Sequence, residues 1–143
     1  MLKYIIFDFD GTLAATLYPA RDIINSLSEK YKFKKVFDFD IENIRNKRPM
    51  ELMKYLKISK VKLPFIARRV KRELNKIIRF LKPNKDIPEM LVTLKQKGYH
   101  LGILTSNYKD NVIQFLDKNN LNYFDIIHSE RNLFGKSKAI RRL

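Results

Sequence analysis

The 143-residue chain contains no cysteine. Disulfides, thiolate zinc sites and cysteine nucleophiles are therefore excluded, and thiols carry no information about redox compartment. Long apolar runs are missing as well. The one N-terminal candidate is interrupted by Asp8 and Asp10, and nothing elsewhere approaches the length of a membrane span. These absences lead to the expectation of a soluble, cytoplasmic protein with no membrane partner. There is no internal repeat and no low-complexity tract beyond a lysine bias. A hydrophobic content of 45% argues against general disorder, and the length is one domain's worth, enough to bury a core.

Acidic residues are scarce in one region. From Arg45 to Lys85 fifteen lysines or arginines face only Glu51 and Glu73, a net of +13 out of a formal +15 for the chain, so the remainder is nearly neutral. A block of this sign attracts anions, whether phosphorylated metabolites, nucleic-acid backbones or acidic membrane surfaces, and charge alone does not choose among them. Solvated charge reflecting compositional bias is an equally weighted reading.

What is present is a pattern of apolar strands and amphipathic helices. Residues 3–8 read as a buried parallel strand, apolar throughout rather than alternating. Residues 16–31 carry Leu17, Ile23, Ile24, Leu27 and Tyr31 at helical spacing. Asp40 can cap a short helix carrying Ile41, Ile44 and Arg45, Pro49 can open another through Met53 and Leu56, and a longer one starts near Pro64. That longest helix has Ile66, Val70, Leu74, Ile77, Ile78 and Leu81 along one side and Arg68, Arg69, Lys71, Arg72, Lys76 and Arg79 on the other, which predicts packing in an intramolecular bundle. After the break at 83–86 the pattern returns to alternation: a helix from Pro88 to Lys97 stopped by Gly98, a strand from His100 to Thr105, a helix from Asp110 to Asn119 and a short strand from Phe124 to His128. Such alternation implies a parallel sheet whose ligands bind beyond the carboxyl ends of its strands.

Two of those ends carry polar clusters. Asp8-Phe9-Asp10-Gly11-Thr12-Leu13 follows the run Tyr4-Ile5-Ile6-Phe7. Strand alternation sends Asp8 and Asp10 the same way, and Gly11 allows a sharp turn that offers backbone amides, a geometry suited to a metal ion and a phosphate. Leu101-Gly102-Ile103-Leu104 ends in Thr105-Ser106-Asn107, where a hydroxyl can donate to a phosphate oxygen without adding charge. Taken singly, Asp-Gly is ordinary turn chemistry and Thr-Ser-Asn an ordinary helix opening. Together they favour one site. His100 and His128 are read as structural.

The hexapeptide at 8–13 resembles the first motif of the haloacid dehalogenase superfamily, mostly phosphoryl-transfer enzymes. The segment 101–107 resembles its second motif, and Leu133-Phe134-Gly135-Lys136-Ser137-Lys138 its third. The resemblance implies Asp8 as nucleophile, Asp10 as general acid and base, Thr105 as the phosphate-binding hydroxyl with Ser106 as rival and Asn107 as neighbour, and Gly11 in the phosphate loop. Lys136, with Lys138 second, would neutralise the nucleophile and the phosphate. Asp8 and Asp10 would bind Mg2+. It implies a Rossmann-like parallel sheet with an inserted α-helical cap, residues 1–13 and 86–143 forming the α/β core and 14–85 the cap, as in phosphoglycolate-phosphatase-like hydrolases. The expected activity is hydrolysis of a small phosphomonoester through an aspartyl phosphate.

One departure stands out. The superfamily's fourth motif, an apolar strand ending in Gly-Asp that completes the magnesium site, has no counterpart before Leu143. The expectations that follow are an incomplete core, a weakened metal site and an exposed edge at Tyr4 to Phe7 that invites self-association. The runner-up function is a catalytically inactive anion- or nucleic-acid-binding module on the same scaffold, with nucleic acid not favoured.

Overall fold

A computed structural model describes residues 3–45, 47 and 49–129. The chain divides into two compact units, one formed by Met1–Leu17 with Asn75–Leu143 and the other by Tyr18–Leu74.

The first unit is built on a parallel sheet of β1 (Tyr4–Phe7), β2 (His100–Thr105) and β3 (Ile126–Ser129), in the order β1-β2-β3. Register pairs Phe7 with Ile103 and Thr105 with Ser129, so Asp8, Thr105 and Ser129 come to the same end of the sheet. The central strand loses its alternation, as a parallel strand covered on both faces should: β2 is buried from Leu101 through Thr105. Among the described residues β1 is an edge, paired with β2 alone. Two helices, α5 (Ile87–Gln96) and α6 (Lys109–Lys118), alternate with the strands. The left-handed backbone of Gly98 (φ +77) ends the first of these, a conformation that L side chains resist. Leu91, Leu101, Ile103, Val112, Phe115 and Leu121, all at most 1% exposed, form one core with Phe9 and Leu13. Asp125 pins the far end of β2. Its carboxylate accepts the Leu101 N–H at 2.8 Å and the Lys95 ammonium at 2.9 and 3.0 Å, and Lys95 first, then that N–H, hold the carboxyl below the usual range.

The second unit is helical. It contains α1 (Leu17–Tyr31), a 3-10 turn (Asp38–Asp40), α2 (Ile41–Arg45), α3 (Pro49–Tyr55) and most of α4 (Leu63–Ile77). Val36, Ile41, Met53, Leu56, Ile58 and Ile66 are buried in it, while Arg68, Arg69, Lys71 and Arg72 on α4 are exposed. Polar clamps hold the connections. The Asn25 side chain accepts the Val36 N–H and donates to the Val36 carbonyl, both at 2.8 Å. Asp40, rather than capping α2, reaches back to accept the Phe37 N–H at 3.0 Å and the Tyr55 hydroxyl, a use of its carboxylate that helix-start patterning alone does not show. Among the described residues no helix is long and apolar enough to cross a membrane.

Candidate active site

The aspartates leave β1 in alternation. Asp8 is exposed, Phe9 is fully buried and Asp10 is half-buried. Phe9 stands edge-on to Phe115 with ring centroids 5.1 Å apart, an anchor that fixes the backbone between the two carboxylates. Beyond them the chain folds on itself: the Phe9 carbonyl accepts the N–H groups of Leu13 and Ala14, both at 3.0 Å, and the Gly11 N–H donates to Ala14 at 3.0 Å. Gly11 has φ +75, and a Cβ there would meet nothing closer than Thr16 Oγ1 at 4.0 Å, so the glycine serves backbone conformation rather than space. Its amide is engaged within the turn.

Asn84 braces this loop from seventy-odd residues away. Its side-chain amide donates to the carbonyls of Gly11 at 2.9 Å and Thr12 at 2.7 Å, while its backbone N–H donates to Leu13 O at 2.9 Å. Three consecutive carbonyls are thereby satisfied by one residue.

The second cluster meets the first. The Asn107 side-chain amide lies 3.2 and 3.3 Å from the two carboxylate oxygens of Asp10 and donates to them. Asn107 is itself only 4% exposed. Its Oδ1 accepts the Tyr108 N–H at 2.8 Å and the Asn111 amide at 3.3 Å, and its carbonyl accepts the Ser129 hydroxyl at 2.5 Å. Thr105 is fully buried, and its Oγ1 accepts the Asn107 N–H at 2.9 Å. Ser106 is half-buried, the more open of the two hydroxyls. Lys136 and Lys138 lie outside the described residues. His100 stacks on Tyr4 at 5.0 Å, and His128 sits within β3.

Sequence reasoning therefore named Asp8, Asp10, Gly11, Thr105, Ser106 and Asn107, and passed over Asn84, Asn111 and Ser129. The last of these stands at a strand end in register with Thr105, a signal legible once β3 is given its true bounds. Asn84 offered no signal, because its contacts are tertiary.

A parallel α/β sheet with two carboxylates just beyond one strand end, and a polar turn beyond the next, gathers its polar groups at the carboxyl edge of the sheet, where open α/β sheets bind their ligands. The chain belongs to the haloacid dehalogenase-like hydrolase family, whose model matches residues 5–143. It is 25% identical to a phosphoglycolate phosphatase of Synechococcus elongatus, over 99% of this chain and 68% of that protein. It is 29% identical to a phosphoglycolate phosphatase of Aquifex aeolicus, over 96% and 64%. It thus spans about two thirds of the length of these curated relatives. A solved structure described as a predicted phosphatase from Clostridium acetobutylicum superposes with a TM-score of 0.70 at 25% identity, over 99% of this chain and 68% of that one. The fold is accordingly the family's Rossmann-like α/β core with a helical cap.

Proposed function

We propose that this chain acts as a phosphomonoester hydrolase, with a small phosphorylated metabolite as substrate and the helical unit 18–74 as its cap. The observation that supports this most is the Asn107–Asp10 contact at 3.2 and 3.3 Å, which joins the two motifs into one site. The names of the Synechococcus and Aquifex relatives point to phosphoglycolate or a similar small phosphomonoester.

In this reading Asp8, exposed at the end of β1, attacks phosphorus in line and forms an aspartyl phosphate. Asp10 protonates the departing oxygen and then, as a carboxylate, takes a proton from the water that hydrolyses the intermediate. Asn107, donating to both Asp10 oxygens, keeps that carboxyl turned toward the reacting atoms. Thr105 and Ser106 supply hydroxyl donors to the phosphate oxygens, and Lys136 supplies the compensating positive charge.

Two carboxylates two positions apart at one strand end are hard oxygen donors that suit Mg2+, and among the described residues no group of three or more His, Cys, Asp or Glu is placed to hold a metal ion. Asp8 and Asp10 would hold the ion. When bound, it supplies charge neutralisation that lets an anionic nucleophile approach an anionic phosphate.

The test is magnesium-dependent phosphate release from an aryl phosphate by this 143-residue chain beside its Asp8→Asn variant. The expected outcome is turnover in the parent and a loss of about a thousandfold or more in the variant, as for removal of a covalent nucleophile. Equal turnover in both would exclude Asp8 as nucleophile.

A further inference from the structure

A shallow, open depression of about 530 Å3 lies on the helical unit where α1 ends. Four lysines, Lys32, Lys34, Lys35 and Lys57, line it together with Phe33 and Glu29. All belong to residues 18–74, none to the aspartate loop or the 105–107 turn.

Two of the four charges are locally balanced. Lys35 pairs with Glu29 at 3.0 Å, and Lys34 donates to the Tyr55 hydroxyl at 3.1 Å and lies 3.9 Å from Asp40. Lys32 and Lys57 have no ion-pair partner among the described residues. Both occupy left-handed backbone, φ 53 and φ 56, just past the ends of α1 and α3. These are positions where glycine or asparagine is the low-strain choice and a lysine costs about 1 kcal/mol. Two such exchanges facing one depression place cationic side chains where local backbone preference opposes them. The surrounding backbone is fixed: Phe33 N–H donates to Ser28 O at 3.1 Å, Lys34 N–H to Leu56 O at 2.9 Å, and Asn25 clamps Val36. The depression is open to solvent, and Lys32, Lys34, Lys35 and Lys57 are all exposed around it, so an anion could enter without displacing any of the chain.

We propose that this depression is a binding site for a small anion carrying at least two negative charges, a polyphosphate or multiply phosphorylated metabolite, separate from the aspartate site. Lys32 and Lys57 supply the uncompensated charge, and Lys34 and Lys35 can turn from their acidic neighbours to add to it.

The experiment is a titration of the 143-residue chain with inorganic tripolyphosphate at about 150 mM salt, where the Debye length of about 8 Å suppresses diffuse attraction. Backbone amide resonances and calorimetry would be read in parallel. Saturable shifts should centre on residues 28–35 and 57. Lys32→Asn with Lys57→Asn should weaken binding about tenfold or more, whereas the control pair Lys54→Gln with Lys60→Gln, equal in charge change, should weaken it less than about twofold. Asparagine accepts left-handed backbone, so the double variant should keep its thermal midpoint, and shift mapping in the parent does not depend on the variants. Equal losses in the two pairs, shifts confined to residues 8–13 and 105–107, or binding of a single-stranded oligonucleotide with no response to tripolyphosphate would each overturn the proposal.

Discussion

Both units use side chains to clamp backbone, as Asn84 and Asp125 do in the sheet unit, but they differ in the apolar core that accompanies those clamps. In the sheet unit the fully buried residues are nearly all apolar, and Phe9, Leu13, Leu91, Leu101 and Phe115 form one continuous core. The helical unit has a smaller set, and it leaves Phe37, Phe39, Val61 and Phe65 between 51% and 78% exposed. Beside that smaller core its side chains bind backbone: Asn25 to Val36, Asp40 to Phe37, and Lys62 to the Tyr31 carbonyl at 2.9 Å. It is also the more basic unit, sixteen lysines or arginines against seven acids, a net of +9. Burial favours a rigid platform for chemistry, whereas polar clamps on a charged bundle favour a surface that can meet anions.

That contrast can be broken by mutation. The largest effect belongs to Phe9→Ala, which empties a fully buried site beside Phe115 and should destabilise the sheet unit by about 3–5 kcal/mol. Urea unfolding followed on sheet-unit resonances would measure it, and a loss below about 1 kcal/mol would show that the core is not what holds the aspartate loop. Next comes Asn25→Ala, which removes both hydrogen bonds to Val36 and leaves part-buried backbone groups unpaired. About 1–3 kcal/mol should be lost from the helical unit, read from the same titration. A neutral result would return that unit's stability to its apolar residues.

The smallest effect is one of pH. The Tyr55 hydroxyl first, then the Phe37 N–H, with Lys34 beside them, hold the Asp40 carboxyl below the ordinary range. A carboxyl depressed on folding adds stability that is present above its unfolded pKa of about 4 and is lost as pH falls through the lower folded value. Tyr55→Phe should therefore lower the helical unit's thermal midpoint at pH 7, with the difference from the parent shrinking below about pH 4. A gap unchanged between pH 7 and pH 3 would mean that the hydroxyl acts through packing rather than through the carboxylate.

Much of the fold was legible because the relevant signals are local. The spacing of His100 to Thr105 gave β2 to the residue, and the apolar stripe with its basic opposite face marked α4 within a residue of its start. The third strand was misplaced by two residues at its start because Phe124 reads as strand but packs edge-on against Phe7 at 5.9 Å, ahead of the ladder. At the candidate site the carboxylates and the Thr-Ser-Asn turn were visible as clusters at strand ends. Their joining through Asn107, the brace from Asn84 and the hydroxyl of Ser129 were not, since each is a contact across dozens of residues that no window of sequence contains. Asn107, expected beside the phosphate, donates to Asp10, a contact that two separate turns create only when the sheet aligns them.

The most direct test of the central claim is a rapid acid quench of the chain with a phosphate-labelled aryl phosphate and magnesium, followed by peptide mapping. A phosphoryl group on the peptide containing Asp8, absent in Asp8→Asn, is the result this account predicts. Label on another residue, or substrate consumed by the folded protein with no labelled peptide while Asp8→Asn turns over equally well, would contradict it.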